Sequence, residues 1–154
     1  MRIGKMLALA AMVVLSVASV AGKSKFSYEI MGAGSGLEGT CLVKVYVYGN
    51  ASDAELKKAA VHGVIFRGYS GTMSGASQPP MASPQVEETH REFFEAFMDE
   101  KGGCQNYASI VPGSYDRVKT AKGRKTGAVV QVMRTSLRQD LEKQGVINSL
   151  SSGF

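Results

Sequence analysis

The chain has 154 residues, with 18 Lys and Arg against 13 Asp and Glu, a formal charge of +5, two cysteines and two histidines. That length supports one domain with a real core. The charge is too modest for a chain built around a polyanion, and so few Cys and His residues can hardly furnish a four-ligand zinc centre.

Residues 1–22 carry Arg2 and Lys5, then an apolar run from Leu7 to Val17, then small residues at Ser19, Ala21 and Gly22. This is the pattern of a cleavable export signal, cut after Ala21 or Gly22. The apolar run is about half of the ~20 residues a permanent membrane helix needs. Removal leaves 132 residues and lowers the formal charge to +3. The expected destination is the periplasm or the medium, with no transmembrane segment remaining. No cysteine lies just after the cut, so lipid attachment is not indicated.

Residues 23–154 are expected to form one domain. Phe26 to Ile30 alternate like a half-buried strand, and a glycine-rich turn follows at 32–39. Residues 41–48, CLVKVYVY, give the strongest strand signal in the chain. Ser52 and Glu55 form a capping box, opening a helix with Leu56, Ala59, Ala60, Gly63 and Val64 on one stripe and Gly68 as its terminator. Residues 68–84, rich in Gly, Ser and Pro, read as a mobile loop. Pro84 then starts a helix to about residue 101, with Val86, His90, Phe93, Phe94, Phe97 and Met98 on one face.

Gln105 to Val111 suit a further strand, broken by Pro112 and Gly113. Residues 114–125 read as a polar, basic connection, and 127–134 as a strand. Ser136, with Gln139 at the capping-box position, is expected to cap a last helix burying Leu137 and Leu141 and ending at Gly145. The order predicts a single two-layer α+β domain: a small, mostly antiparallel sheet with two or three helices on one face.

Cys41 and Cys104 leave two readings open. One is a disulfide in an oxidising compartment, closing a loop of ~60 residues worth ~4 kcal/mol if unstrained. The other is two buried thiols that pack. Gly34, Gly36 and Gly39 match G-x-G-x-x-G, but a strand follows where a dinucleotide site needs a helix, so a turn is expected. Cys104 with His62 or His90 would be the candidate pair for a small Cys/His enzyme. The acids of 84–101 (Glu87, Glu88, Glu92, Glu95 and Asp99) suit a solvated face better than a desolvated acid–base pair. Arg117, Lys119, Lys122, Arg124 and Lys125 form a basic run beside Tyr115, suited to an anionic surface or to guarding a sheet edge.

Taken together, LVKVYVYG (42–49), AVHGVIFRG (60–68), HREFFEAF (90–97) and LRQDLEKQGVI (137–147) resemble a family of small exported Bacteroidetes proteins. That resemblance implies compartment and source, and no activity. A more distant similarity of pattern links the chain to small α+β domains of envelope lipoproteins and flagellar accessory proteins, without their lipid-bearing cysteine. The expected function is a non-enzymatic, envelope-associated interaction protein with an unknown protein or envelope component as partner and no cofactor or metal. The alternatives are the Cys/His enzyme, or a peripheral binder of anionic glycolipid or polymer through 117–125. Nucleic acid ranks below an envelope surface because the chain is exported.

Overall fold

A computed structural model describes residues 26–71 and 77–149; the expected export segment lies outside them. Five strands form one antiparallel sheet: β1 (Tyr28–Ser35), β2 (Cys41–Tyr48), β3 (Ala108–Ile110), β4 (Asp116–Thr120) and β5 (Gly123–Val132). The order is β1-β2-β5-β3, with β4 also paired to β5. β3 and β4 therefore share one edge of β5, opposite residues 130–132 and 123–127 respectively. Among the described residues this gives the expected α+β domain.

The period of two along β2 decides its burial. Cys41, Val43, Val45 and Val47 are buried, while Leu42, Lys44 and Tyr46 are half-covered. In register beside them, β5 buries Thr126, Ala128, Val130 and Val132. Helix α1 (Asp53–Phe66) packs on this face and buries Leu56, Ala59, Ala60, Val64 and Ile65. Gly63 permits close approach: a Cβ there would lie 2.5 Å from Ile30 Cδ1. Helix α4 (Arg134–Lys143) adds Leu137 and Leu141 to the same core.

The Ser52 capping box forms as expected. Gly68 ends α1 with φ +65°, its N–H donating to the Gly63 carbonyl at 2.8 Å. The described ends of the 68–84 loop are pinned: Tyr69 and Gln78 exchange backbone bonds of 2.9 Å, and the Gly32 N–H donates to Ser70 O across the β1 edge.

Several expectations need correction. The strand expected over Gln105–Val111 is a 3-10 helix at Gly103–Tyr107 followed by the short β3, and the glycine-rich stretch expected as a turn from residue 32 belongs to β1 as far as Ser35. The 84–101 helix is two short helices, α2 (Pro84–Thr89) and α3 (Arg91–Phe97), broken at His90 with φ −112° and ψ 39°. Thr89 Oγ1 donates back to Gln85 O, the kind of local bond that bends helices. The last helix begins at Arg134, and no side chain caps it; the Gly39 carbonyl accepts the Thr135 N–H at 3.0 Å instead. Residues 114–125 are not a plain connection, since β4 and the start of β5 form a hairpin there.

Finally, Cys41 and Cys104 are both free and buried. Cys41 bonds the Tyr69 side chain, whereas Cys104 Sγ lies 3.7 Å from Asp99 O and 3.6 Å from Gln105 Nε2. Each thiol sits in its own packing site at a different part of the core. Burial pushes both thiols up, making them poor nucleophiles at neutral pH. Thiol titration without reductant should therefore show little reaction in the folded chain and two reactive thiols in denaturant; a single bridged species by intact mass would contradict this structure.

Candidate functional surface: the basic hairpin

The basic run falls on the β4–β5 hairpin, where the alternation of strands sorts it into two groups. Register sets Arg117 opposite Thr126 and Lys119 opposite Arg124 on one face, and Val118 opposite Lys125 on the other. The turn is closed by Thr120 Oγ1 donating to Gly123 O at 2.8 Å and by the Lys122 N–H donating to Thr120 Oγ1 at 3.3 Å.

Lys125 belongs to the structure of the open sheet face. Its ammonium is 2.9 Å from Glu29 and 4.5 Å above the Tyr46 ring. Lys44 approaches the same ring at 5.2 Å and Asp116 at 3.6 Å. Tyr46 Oη donates to Asp116 at 2.7 Å, and that carboxylate pushes the phenol up to about 12. Gly127 lies beneath the ring, where a Cβ would stand 2.5 Å from Tyr46 carbons. Four strands are thus tied by one aromatic ring and its alternating charges.

Arg117, Lys119, Lys122 and Arg124 are exposed. Among the described residues none of them forms a side-chain ion pair. Lys119 and Arg124 stand directly across the ladder from each other, an arrangement of like charges that disfavours the hairpin. At the base of this ledge Tyr115 is half-exposed and donates to Asp53 Oδ1 at 2.7 Å, fixing the hairpin against the start of α1.

The histidines and the acidic segment are placed differently. Tyr28 Oη is 2.6 Å from His62 Nδ1, and His62 Nε2 is 2.9 Å from Glu87 Oε1. Arg67 lies 3.9 Å over the Tyr28 ring and donates to the Tyr28 carbonyl. A neutral His62 satisfies both partners, accepting from Tyr28 and donating to Glu87. Burial holds its pKa below the ordinary histidine value, against the pull of Glu87. With Tyr28 4% exposed, this chain of bonds fastens α1 and α2 to β1. His62 bonds Tyr28 and Glu87 while Cys104 lies beside Asp99 O and Gln105, so the alternative pairing of Cys104 with His62 is not formed. His90 marks the α2–α3 break, and Glu88 pairs with Arg91 on the surface. Among the described residues no group of three or more His, Cys, Asp or Glu could hold a metal ion, and no helix is long and apolar enough to cross a membrane.

No protein-family model, curated protein or solved structure matches the chain. Functional assignment therefore rests on its own geometry.

The His62 arrangement has a pH consequence. Because its folded pKa is depressed, the unfolded chain takes up the proton first. Stability is full above the unfolded value of about 6.5 and is lost as pH falls through the folded value. Urea midpoints should drop between about pH 7.5 and about pH 5, and the drop should be smaller in His62→Gln; an equal drop in both would show that another group controls it.

Proposed function

We propose that this chain is an exported, non-enzymatic domain that acts by contact with an anionic envelope surface, using the basic β4–β5 hairpin. The reading is supported above all by the direct Lys119–Arg124 pairing without a carboxylate partner among the described residues. Edge protection accounts for lysine on β4. It does not call for a second cation directly across the ladder, where repulsion weakens the hairpin.

Arg117 and Arg124 offer forked donors to phosphate or carboxylate oxygens, while Lys119 and Lys122 supply point charges. Tyr115 adds a half-exposed ring at the base of the same ledge. Such contact is peripheral and reversible. Two basic side chains near an anionic membrane contribute about 1 kcal/mol each, so losing both should weaken binding by about 30-fold.

Co-sedimentation of residues 23–154 with phosphatidylglycerol-containing vesicles tests the reading. Binding should exceed that to phosphatidylcholine vesicles alone and should fall as salt rises from about 0.1 M to about 1 M, where the screening length shrinks from about 10 Å to about 3 Å. Lys119→Gln with Arg124→Gln should remove most of it. Vesicle binding that ignores both changes, or is absent at low salt, overturns the proposal.

A further inference from the structure

The bend that joins β3 to β4 is built to hold one exposed ring. β5 pairs with β3 as far as Ile110 and with β4 from Asp116. Between them the chain folds back at Pro112 and Gly113, with φ +76° at the glycine and the Ser114 N–H donating to Val111 O at 3.2 Å. The Ser114 hydroxyl fills the gap this leaves in the ladder. It accepts the Val129 N–H at 3.0 Å and donates to Val111 O at 2.6 Å. Tyr115 leaves the turn with its Oη donating to Asp53 Oδ1 at 2.7 Å. It is 52% exposed, and its ring meets no other ring or cation among the described residues.

Beside that ring lies an open cavity of about 530 Å³, a size that suits a small organic molecule. Ile110 and Pro112 form its apolar wall, while Asp53 and Lys57, about one turn apart on α1, form its charged wall. A ligand can reach all of them: Asp53, Pro112 and Tyr115 are exposed, and Lys57 and Ile110 are half-covered.

The chemistry of the wall narrows the ligand. Asp53 and Lys57 are the two charged residues of the lining, one of each sign. They cancel, so a bare anion or cation gains little there. Lys57 has no partner among the described residues, and Tyr115 engages only one oxygen of Asp53. The pair therefore offers donors and an acceptor side by side, as neighbouring hydroxyls require. The Tyr115 face suits C–H groups, whose positive side meets the negative face of the ring. Because the ring is already pinned at its far end, stacking on it costs little further side-chain freedom.

We propose that this cavity binds a hexose ring of an anionic glycan, stacked on Tyr115 with its hydroxyls bonding Asp53 and Lys57. Arg117 is in register with the buried Thr126, so it projects to the α1 side of the sheet, the side on which Tyr115 reaches Asp53. Two residues of extended strand span about 7 Å, so a phosphate carried on the sugar meets Arg117 while the ring stays at Tyr115. The Arg117 contact rests on the anionic-surface reading; the sugar contact does not.

Amide-shift titration of the protein at constant ionic strength, with glucose, glucose 6-phosphate, inorganic phosphate and adenosine as probes, tests this. Both sugars should give saturable shifts at residues 53–57 and 109–115, where phosphate and adenosine give none. Glucose 6-phosphate should bind about tenfold tighter than glucose, and Arg117→Gln should abolish that advantage. Tyr115→Ala should weaken both sugars about tenfold, whereas the Lys119→Gln, Arg124→Gln double variant should leave glucose unchanged. Should Tyr115→Ala fail to fold, the exposed-surface variant Lys57→Gln should still weaken both sugars several-fold. Phosphatidylglycerol vesicles carrying glucosyl diacylglycerol separate a lipid-borne sugar, which raises binding over phosphatidylglycerol alone, from a free one, which does not. Absence of sugar shifts, a preference for adenosine, or indifference to both the Tyr115 and Lys57 changes would overturn the site, whatever the vesicles show. Glucose binding without a gain from the 6-phosphate would overturn the anionic glycan and leave the hairpin to its own vesicle test.

Discussion

β5 is hydrogen-bonded on both edges, to β2 along Lys125–Val132 and to β4 and β3 on the other side. Its inward side chains complete the core beneath α1, and its outward Gly127 receives the Tyr46 ring. Its start is half of the basic hairpin, and its end leads directly into α4. A one-residue slip would put Val130 and Val132 into water and Lys125 into the core. Register in this one strand therefore places both the core and the basic hairpin.

The charges of the open face show how that register is reinforced. Glu29 on β1, Lys44 and Tyr46 on β2, Lys125 on β5 and Asp116 on β4 are linked across four of the five strands. Single exposed pairs contribute only about 0–1 kcal/mol. Here they share one aromatic ring, so displacing any strand disturbs several at once. The paired and unpaired cations are neighbours in sequence: Lys125 is engaged, while among the described residues Arg124 forms no ion pair. Only the pleat separates them.

Much of the fold was legible because local and global signals agree. The valines of 43–47, the Ser52–Glu55 box and Gly68 each specify what the tertiary structure then uses. The misses came from long-range partners. Nothing near Met133 announces that Gly39 will cap α4, so Ser136 drew the cap by its local pattern. The break at His90 lies inside a continuous apolar stripe, and the Thr89 back-bond that accompanies it competes weakly in sequence. The 114–125 segment hid a hairpin because its strands carry lysine and arginine where β-branched residues usually signal extension; the alternation Arg117, Lys119 around Val118 was the available clue. For the cysteines, spacing carries no distance information, and only the fold shows that each thiol has its own partners. The glycine motif is a turn only in its second half: Gly34 still belongs to β1, and the connection to β2 spans residues 36–40. Its meeting with the first turn of a helix nearly a hundred residues later leaves no trace in the residues beside it.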